Sequence, residues 1–490
     1  MRNWLVFVLA ATVCVSVFVM TEGSDDSAAD SSGSCGTNVT YEFKSDTGTL
    51  TISGSGDMTD YTSYTHAPWY SYRDSIKTVA IGNSVLSIGD YTFYECTAVT
   101  SISISDSVTA IGSYACYNCS SLTSVTISDN ITSLGTYAFA GCTGLKNLTV
   151  PISLDLVGGS GLIPKFNDCA NIEKIVFTAG TGEWYDHTHP SYTPWCLSKS
   201  VLKEIVFSDG VPSVQSSKFK EYTSLSSVTF SNSITSIGSY AFSGDTSIKS
   251  VNLPESLLSV GDYAFSDCTA LTGIALSDSV ESIGRSAFYG CTSLKSVKLG
   301  NSVTLVEANT FSGCTSLASV TLGISVASIG GYAFSDCTSL TTINVPDSVT
   351  SIGSYAFEDC TSLASVSLGR YLLNIEDHAF YGAQFIGSLN VPDTVISIGT
   401  LAFKGIMFHD ADGTLLPASA PALAGKTFEG GNGVLTAVRS EVVPEVIPAD
   451  TGGDEKTQTT SIIEIATLVV AIAALIVALL ALLSVRRKEI

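Results

Sequence analysis

Apolar positions along most of this chain fall in one recurring figure, Φ-x-x-Φ-x-Φ, in which Φ is aliphatic and x is usually polar. The first apolar residue of each figure is Ile76, Val99, Leu122, Leu145, Ile172, Leu202, Leu225, Ile248, Leu271, Leu294, Leu317, Leu340, Leu363 and Ile386. Eleven of the thirteen intervals are 23 residues, and the other two are 27 and 30. A period this regular identifies a solenoid, in which each unit buries its apolar face only against its neighbours.

Within a unit, residues such as Leu294, Val297 and Leu299 predict a short strand whose alternate side chains point inward. A Ser or Asp turn follows, and then an Ile-Gly pair such as Ile88-Gly89, Ile111-Gly112 or Ile283-Gly284. Glycine suits a corner with positive φ or one where two stretches of backbone approach closely. The unit closes with Tyr-Ala-Phe-x-x-Cys-Thr-Ser, which predicts a helical turn on the side away from the strand. The expected fold is an α/β solenoid, with a parallel β-sheet on its inner face and short helical turns and irregular structure on its back. Stacking predicts three internal columns. One is aliphatic, one is aromatic in twelve units from Phe93 to Phe403, and one is sulfur in nine units from Cys96 to Cys360.

The flanks read differently. Residues 1–23 have Arg2, a long apolar run and then a polar stretch, the layout of a secretory signal, and 24–34 form a Ser/Asp/Ala linker expected to be disordered. Residues 35–75 alternate as Val39, Tyr41, Phe43 and Leu50, Ile52 around Asp46-Thr47-Gly48, which predicts a β-hairpin cap plugged by Trp69. The solenoid occupies 76–407 in fourteen repeats, followed by a C-terminal cap at 408–436 and a stalk at 437–461. Residues 462–485 are apolar enough for a transmembrane helix, and the basic tail 486–490 places the C-terminus on the cytoplasmic side by the positive-inside rule. Plasma-membrane, single-pass localisation follows, with the ectodomain outside.

A formal charge of −22, from 23 basic and 45 acidic residues, excludes nucleic acid as the expected partner, since phosphate binding needs a basic face. Within that acidic chain, lysines recur at the x positions of the strand figure: Lys77, Lys146, Lys174, Lys203, Lys249, Lys295 and Lys298. Beside Ser, Thr and Asn they suggest a hydroxyl-rich, locally basic binding face, against the plainer reading that polar residues only solvate a sheet. The rhythm breaks once, at an insertion around 155–200 that holds Trp184, Tyr185, His187 and His189, and these complete the expected ligand-binding set.

Other chemistry is sparse. The cysteine column suggests packing thiols more than inter-repeat bridges, and Cys116-x-x-Cys119 spans the Phe and Cys columns, which favours packing or a local bridge over redox work. His187-x-His189 is a weak metal signal, and Asp410-Ala-Asp412-Gly413 lacks the downstream glutamate of a calcium loop. Neither a phosphate loop nor an acid/base constellation is evident, so no catalytic residue, metal or cofactor is expected, nor enzymatic activity. Sequons stand at Asn38, Asn118, Asn130 and Asn147.

The stretch Ser-Val-Thr-x-Ile-Gly-x-Tyr-Ala-Phe-x-x-Cys-Thr-Ser-Leu, seen at 348–363, resembles the BspA-like class of leucine-rich repeats, and the resemblance extends over about 76–403. It implies a leucine-rich-repeat solenoid on a cell surface, with work in adhesion to protein or glycan ligands on another cell, host or matrix. The chain departs from cell-wall-linked members in lacking a Leu-Pro-x-Thr-Gly motif. The alternative is a structural envelope protein that associates with itself and has no specific ligand.

Overall fold

The structure is a computed structural model that describes residues 29–63, 65–154, 165–180, 198–384, 388–431 and 434–437. The signal segment, most of the stalk, the apolar segment 462–485, the basic tail and the insertion residues Trp184, Tyr185, His187 and His189 lie outside them. Among the described residues no helix is long and apolar enough to cross a membrane.

The chain winds as a parallel β-solenoid, and each full turn has three walls. The first wall is built from the Φ-x-Φ strands. Thr78–Ile81, Ser101–Ser103, Ser124–Thr126, Asn147–Pro151, Lys174–Thr178, Glu204–Phe207 and Ser227–Thr229 pair in parallel register. The ladder resumes with Gly273–Ala275, Ser296–Lys298 and Ser319–Thr321, and again from Thr342–Asn344 to Ser388–Val391. Equivalent residues stand side by side, Leu148 against Ile175 and Ile175 against Ile205, so every inward aliphatic extends one column.

A second parallel ladder replaces the single sheet expected from the sequence. The Ser-Ile step before the corner glycine forms a two-residue strand in most repeats, as in Ser236–Ile237, Ser259–Val260 and Ser282–Ile283. Its serine faces outward and its Ile or Val is buried. Two residues are too few for alternation to register as a strand in a sequence.

The third wall corrects the expectation of helical turns. Among the described residues helix is limited to a 3-10 stretch at Tyr70–Ser75, a 3-10 residue at Ser198 and one short α-helix at Ala420–Leu423, none of them in a Tyr-Ala-Phe-x-x-Cys segment. The Tyr-Ala-Phe-x-x-Cys segment instead makes two left-handed steps, one at its tyrosine and one three residues after the alanine. Tyr263 has φ 56° and Asp267 has φ 57°. These steps turn the backbone so that it bonds to the next repeat: Tyr263 N–H to Arg285 O at 2.9 Å, Phe265 N–H to Ala287 O at 2.8 Å and Asp267 N–H to Tyr289 O at 2.7 Å. A helix would direct those groups along its own axis and leave the repeats unbonded on this side.

Inside the walls the Phe column stacks nearly parallel, Phe265 on Phe288 at 5.5 Å and Phe288 on Phe311 at 5.4 Å. The cysteines are buried free thiols in every described case. From Cys119 onward each thiol of the column donates to a backbone oxygen in the preceding repeat, for example Cys291 Sγ to Phe265 O and Cys314 Sγ to Phe288 O, both at 3.2 Å. Cys116 and Cys119 are likewise buried free thiols, not a bridge, and Cys119 Sγ donates to Phe93 O. Burial pushes the thiols of Cys268, Cys291 and Cys337 upward, far from the reactive thiolate range.

Both ends of the sheet are antiparallel. Strand β1 (Ser31–Ser34) pairs with β2 (Val39–Lys44), which forms a hairpin with β3 (Thr49–Gly54). Residues 31–34, expected in the disordered linker, are therefore part of the sheet, held by backbone bonds that their polar side chains do not announce. Trp69 is fully buried, with its indole N–H bonded to Thr92 O at 2.9 Å and its ring stacked on Phe93. At the other end Ser388–Val391 pairs antiparallel with Lys426–Gly431, which places the buried Phe428 opposite Leu389.

Candidate functional site

On the first wall the middle residue of each three-residue strand points inward, and its neighbours face solvent. Val297 is buried between exposed Ser296 and Lys298, and Ile343 between exposed Thr342 and Asn344. Pairing aligns these outer residues into rows. Ser296, Ser319 and Thr342, Ser365 form one row, and Lys298, Thr321 and Asn344, Ser367 form another. A third row runs along the residue just before each strand, and along the same position in the strandless repeat at 248–253, and contains Lys77, Lys146, Lys203, Lys249 and Lys295. It is tied by backbone bonds such as Thr272 N–H to Lys249 O and Lys295 N–H to Thr272 O. The wall is therefore a flat, hydroxyl-rich grid punctuated by ammonium groups.

The lysines divide into two groups. Glu173 replaces the row's usual residue between Lys146 and Lys203 and bonds both, at 3.4 and 2.8 Å. Lys203 beside Glu173 holds its carboxyl below the usual range. Lys174 bonds Glu204 at 2.8 Å. The stretch from Lys146 to Glu204 is thus an ion-pair network rather than a positive patch. Lys77, Lys249, Lys295 and Lys298 make no ion pair among the described residues, and the last three lie close together on exposed positions of the face. Of the sequence-predicted set, the wall gathers Lys249, Lys295 and Lys298, while Lys77 stands apart near the N-terminal hairpin.

Glu173 and Glu204 stand at x positions beside Lys174 and Lys203, so the sequence did carry this signal, which following only the recurring lysines passes over. A second surface also went unread, the tyrosines of the third wall. Tyr91 stacks on Tyr114 at 4.8 Å, Tyr94 on Tyr117 at 5.2 Å and Tyr240 on Tyr263 at 4.7 Å. Their ring faces are spent on one another, leaving edges and hydroxyls to solvent. Recurrence at the period could have flagged them, but left-handed backbone has no such signature. No group of side chains able to hold a metal ion occurs among the described residues.

The chain is similar to several known proteins. A leucine-rich repeat protein of Eubacterium ventriosum is 23% identical over 73% of this chain and 95% of its own, with a TM-score of 0.35. One from Bacteroides ovatus is 27% identical over 70% of this chain and 91% of its own, also at 0.35. A leucine rich cell surface protein of Faecalibacterium prausnitzii is 21% identical over 70% of this chain and 96% of its own, at 0.27. No curated protein matches the chain. The family model described as BspA type leucine rich repeat region (6 copies) matches residues 67–189, 194–317 and 281–408, and the chain belongs to that family.

Proposed function

We propose that this chain is a cell-surface binding protein that presents its first wall to a protein or glycan on another cell, host or matrix. The observation that carries the reading is the exposed grid of Ser, Thr and Asn around Lys249, Lys295 and Lys298, whose charges meet no carboxylate among the described residues. Hydroxyl and amide rows at strand spacing supply many weak donors and acceptors on a rigid frame, and three open ammonium groups add attraction for an anionic or polar partner. Membership in a family of repeat proteins is consistent with binding rather than catalysis. The signal-like segment and the apolar stretch 462–485 support display on a membrane with the repeats outside.

The test is binding of the full-length chain to an array of glycans and matrix proteins, with K249E/K295E/K298E as control. Saturable binding by a monomeric chain that the triple variant loses supports the reading. Equal binding by both forms refutes the face. Concentration-dependent filaments without ligand would favour a structural, self-associating envelope protein.

A further inference from the structure

In a repeat protein the recurring residues serve the scaffold, so a repeat that abandons them in several columns at once marks a local purpose. The repeat at 216–222 does this. Where seven units carry a left-handed Tyr it has Ser217; where most carry Ala it has Lys218; and where most carry Cys it has Tyr222. Phe219 alone keeps the pattern, buried in its column. The next repeat departs again, placing Asp245 in the cysteine column. One carboxyl oxygen of that residue accepts from Tyr222 N–H at 2.6 Å, and the other has no hydrogen-bond partner.

These exchanges shape a recess. Ser217 lacks the ring that roofs the equivalent position elsewhere, and a hollow of about 300 Å³ remains, lined by Lys199, Ser217, Lys218, Lys220, Glu221 and Tyr222. Lys218 is buried and engaged within the protein, whereas Lys199 and Lys220 are nearly half exposed. They share one acceptor, Glu221, at 3.5 and 3.8 Å, distances at which exposed pairs are weak. Behind the recess burial pushes Asp245 up to about 9, so at neutral pH its carboxyl is uncharged and does not cancel the lysines. The two half-exposed ammonium groups, Lys199 and Lys220, thus face the single carboxylate of Glu221, in a chain with almost twice as many acidic as basic residues.

We propose that this recess is a binding site for an acidic sugar unit, carboxylated or sulfated. The hollow is at the small end of ligand sites, the size of one sugar ring rather than a peptide. Its lysines answer the negative group, and the Ser217 hydroxyl and Glu221 carboxylate answer ring hydroxyls. Glu221 would repel a bare anion, yet it accepts from a polyol. The site lies on the third wall, apart from Lys249, Lys295 and Lys298, and stands or falls independently of the proposed grid.

The test measures binding of the full-length chain to a polyuronate, a sulfated dextran, neutral dextran and polyglutamate at low and high salt. The variants are S217Y, K199Q/K220Q and K249E/K295E/K298E. S217Y restores a residue that already occupies this left-handed position in other repeats, at φ 53–61°, so it fills the recess without asking the backbone to change. Binding of either acidic polysaccharide, falling tenfold or more in S217Y and in K199Q/K220Q but kept in K249E/K295E/K298E, is the expected result. The two acidic polymers tell carboxylate from sulfate recognition. Equal binding of neutral dextran, equal or tighter binding of polyglutamate, or binding unchanged in S217Y would overturn the proposal.

Discussion

At the scale of single residues, the cysteine column shows why a thiol recurs. It is small and apolar enough for the core beside Phe, and its weak donor reaches a carbonyl one repeat back. Asp245 occupies the same column with a group of a different kind, which makes it a local pH sensor. Burial is the main cause of its raised pKa, with Glu221 adding to the rise, while the Tyr222 N–H and Lys199 oppose it. The folded value lies above the unfolded one near 4, so folding favours the protonated acid. Its contribution is full below pH 4 and is lost progressively as pH rises toward about 9. Asp245→Asn keeps an acceptor for Tyr222 N–H and removes the titration. Thermal unfolding at a series of pH values should show the variant gaining on the wild type between pH 4 and 9, by up to a few kcal/mol. A constant difference across that range would mean that Asp245 is already ionised in the fold.

At the scale of the repeat element, the corner glycine and the tyrosine two residues on divide the work of the turn. None of the Ile-Gly glycines has positive φ; the left-handed step falls at the tyrosine. Glycine is needed because the neighbouring repeat is too close. A Cβ on Gly284 would lie 2.5 Å from Asp262 N and 2.6 Å from Gly261 C, both backbone atoms that cannot swing aside. Gly284→Ala should therefore cost about 1–3 kcal/mol, the usual range for overpacking, and more if the second ladder locally parts. Denaturant unfolding checks this, and a neutral outcome would show that the two corners can separate. The tyrosines accept a disfavoured backbone conformation whose cost is offset by stacking on the ring one repeat away. The sequence showed the glycine and one of its two candidate reasons, close approach, because spacing records identity at each column. It did not show which residue carries positive φ, nor that Ser236-Ile237 and its equivalents form a second ladder, because those follow from backbone bonding between repeats. The lysine face was legible as a pattern, while its partial neutralisation by Glu173 and Glu204 depends on which side chains meet across neighbouring repeats, which a pattern of lysines alone does not give.

At the scale of the whole molecule, each repeat contacts only its neighbours, so stability is a chain of interfaces and an exposed end is the weak point. The N-terminal hairpin answers this with β3, which adds in parallel to Thr78–Ile81 and continues the inward column, Leu50 beside Val79 and Ile52 beside Ile81. Trp69 seals the same end: its ring lies edge-on to Tyr41 at 5.2 Å and stacks on Phe93 at 5.8 Å, so one side chain joins hairpin to first repeat. Trp69→Ala removes that bridge and orphans Thr92 O, with an expected cost of about 3–5 kcal/mol. In a compact globular domain such a loss would lower the stability of every element together. Here it should stay local. Hydrogen exchange of the variant should show amide protection falling in the hairpin and the first repeats, including the Phe93 N–H bonded to Ala115 O, while amides near Phe357 keep their wild-type rates. A uniform loss of protection along all fourteen repeats would show instead that the solenoid unfolds as one cooperative block, and that its caps stabilise the whole rather than guard an end.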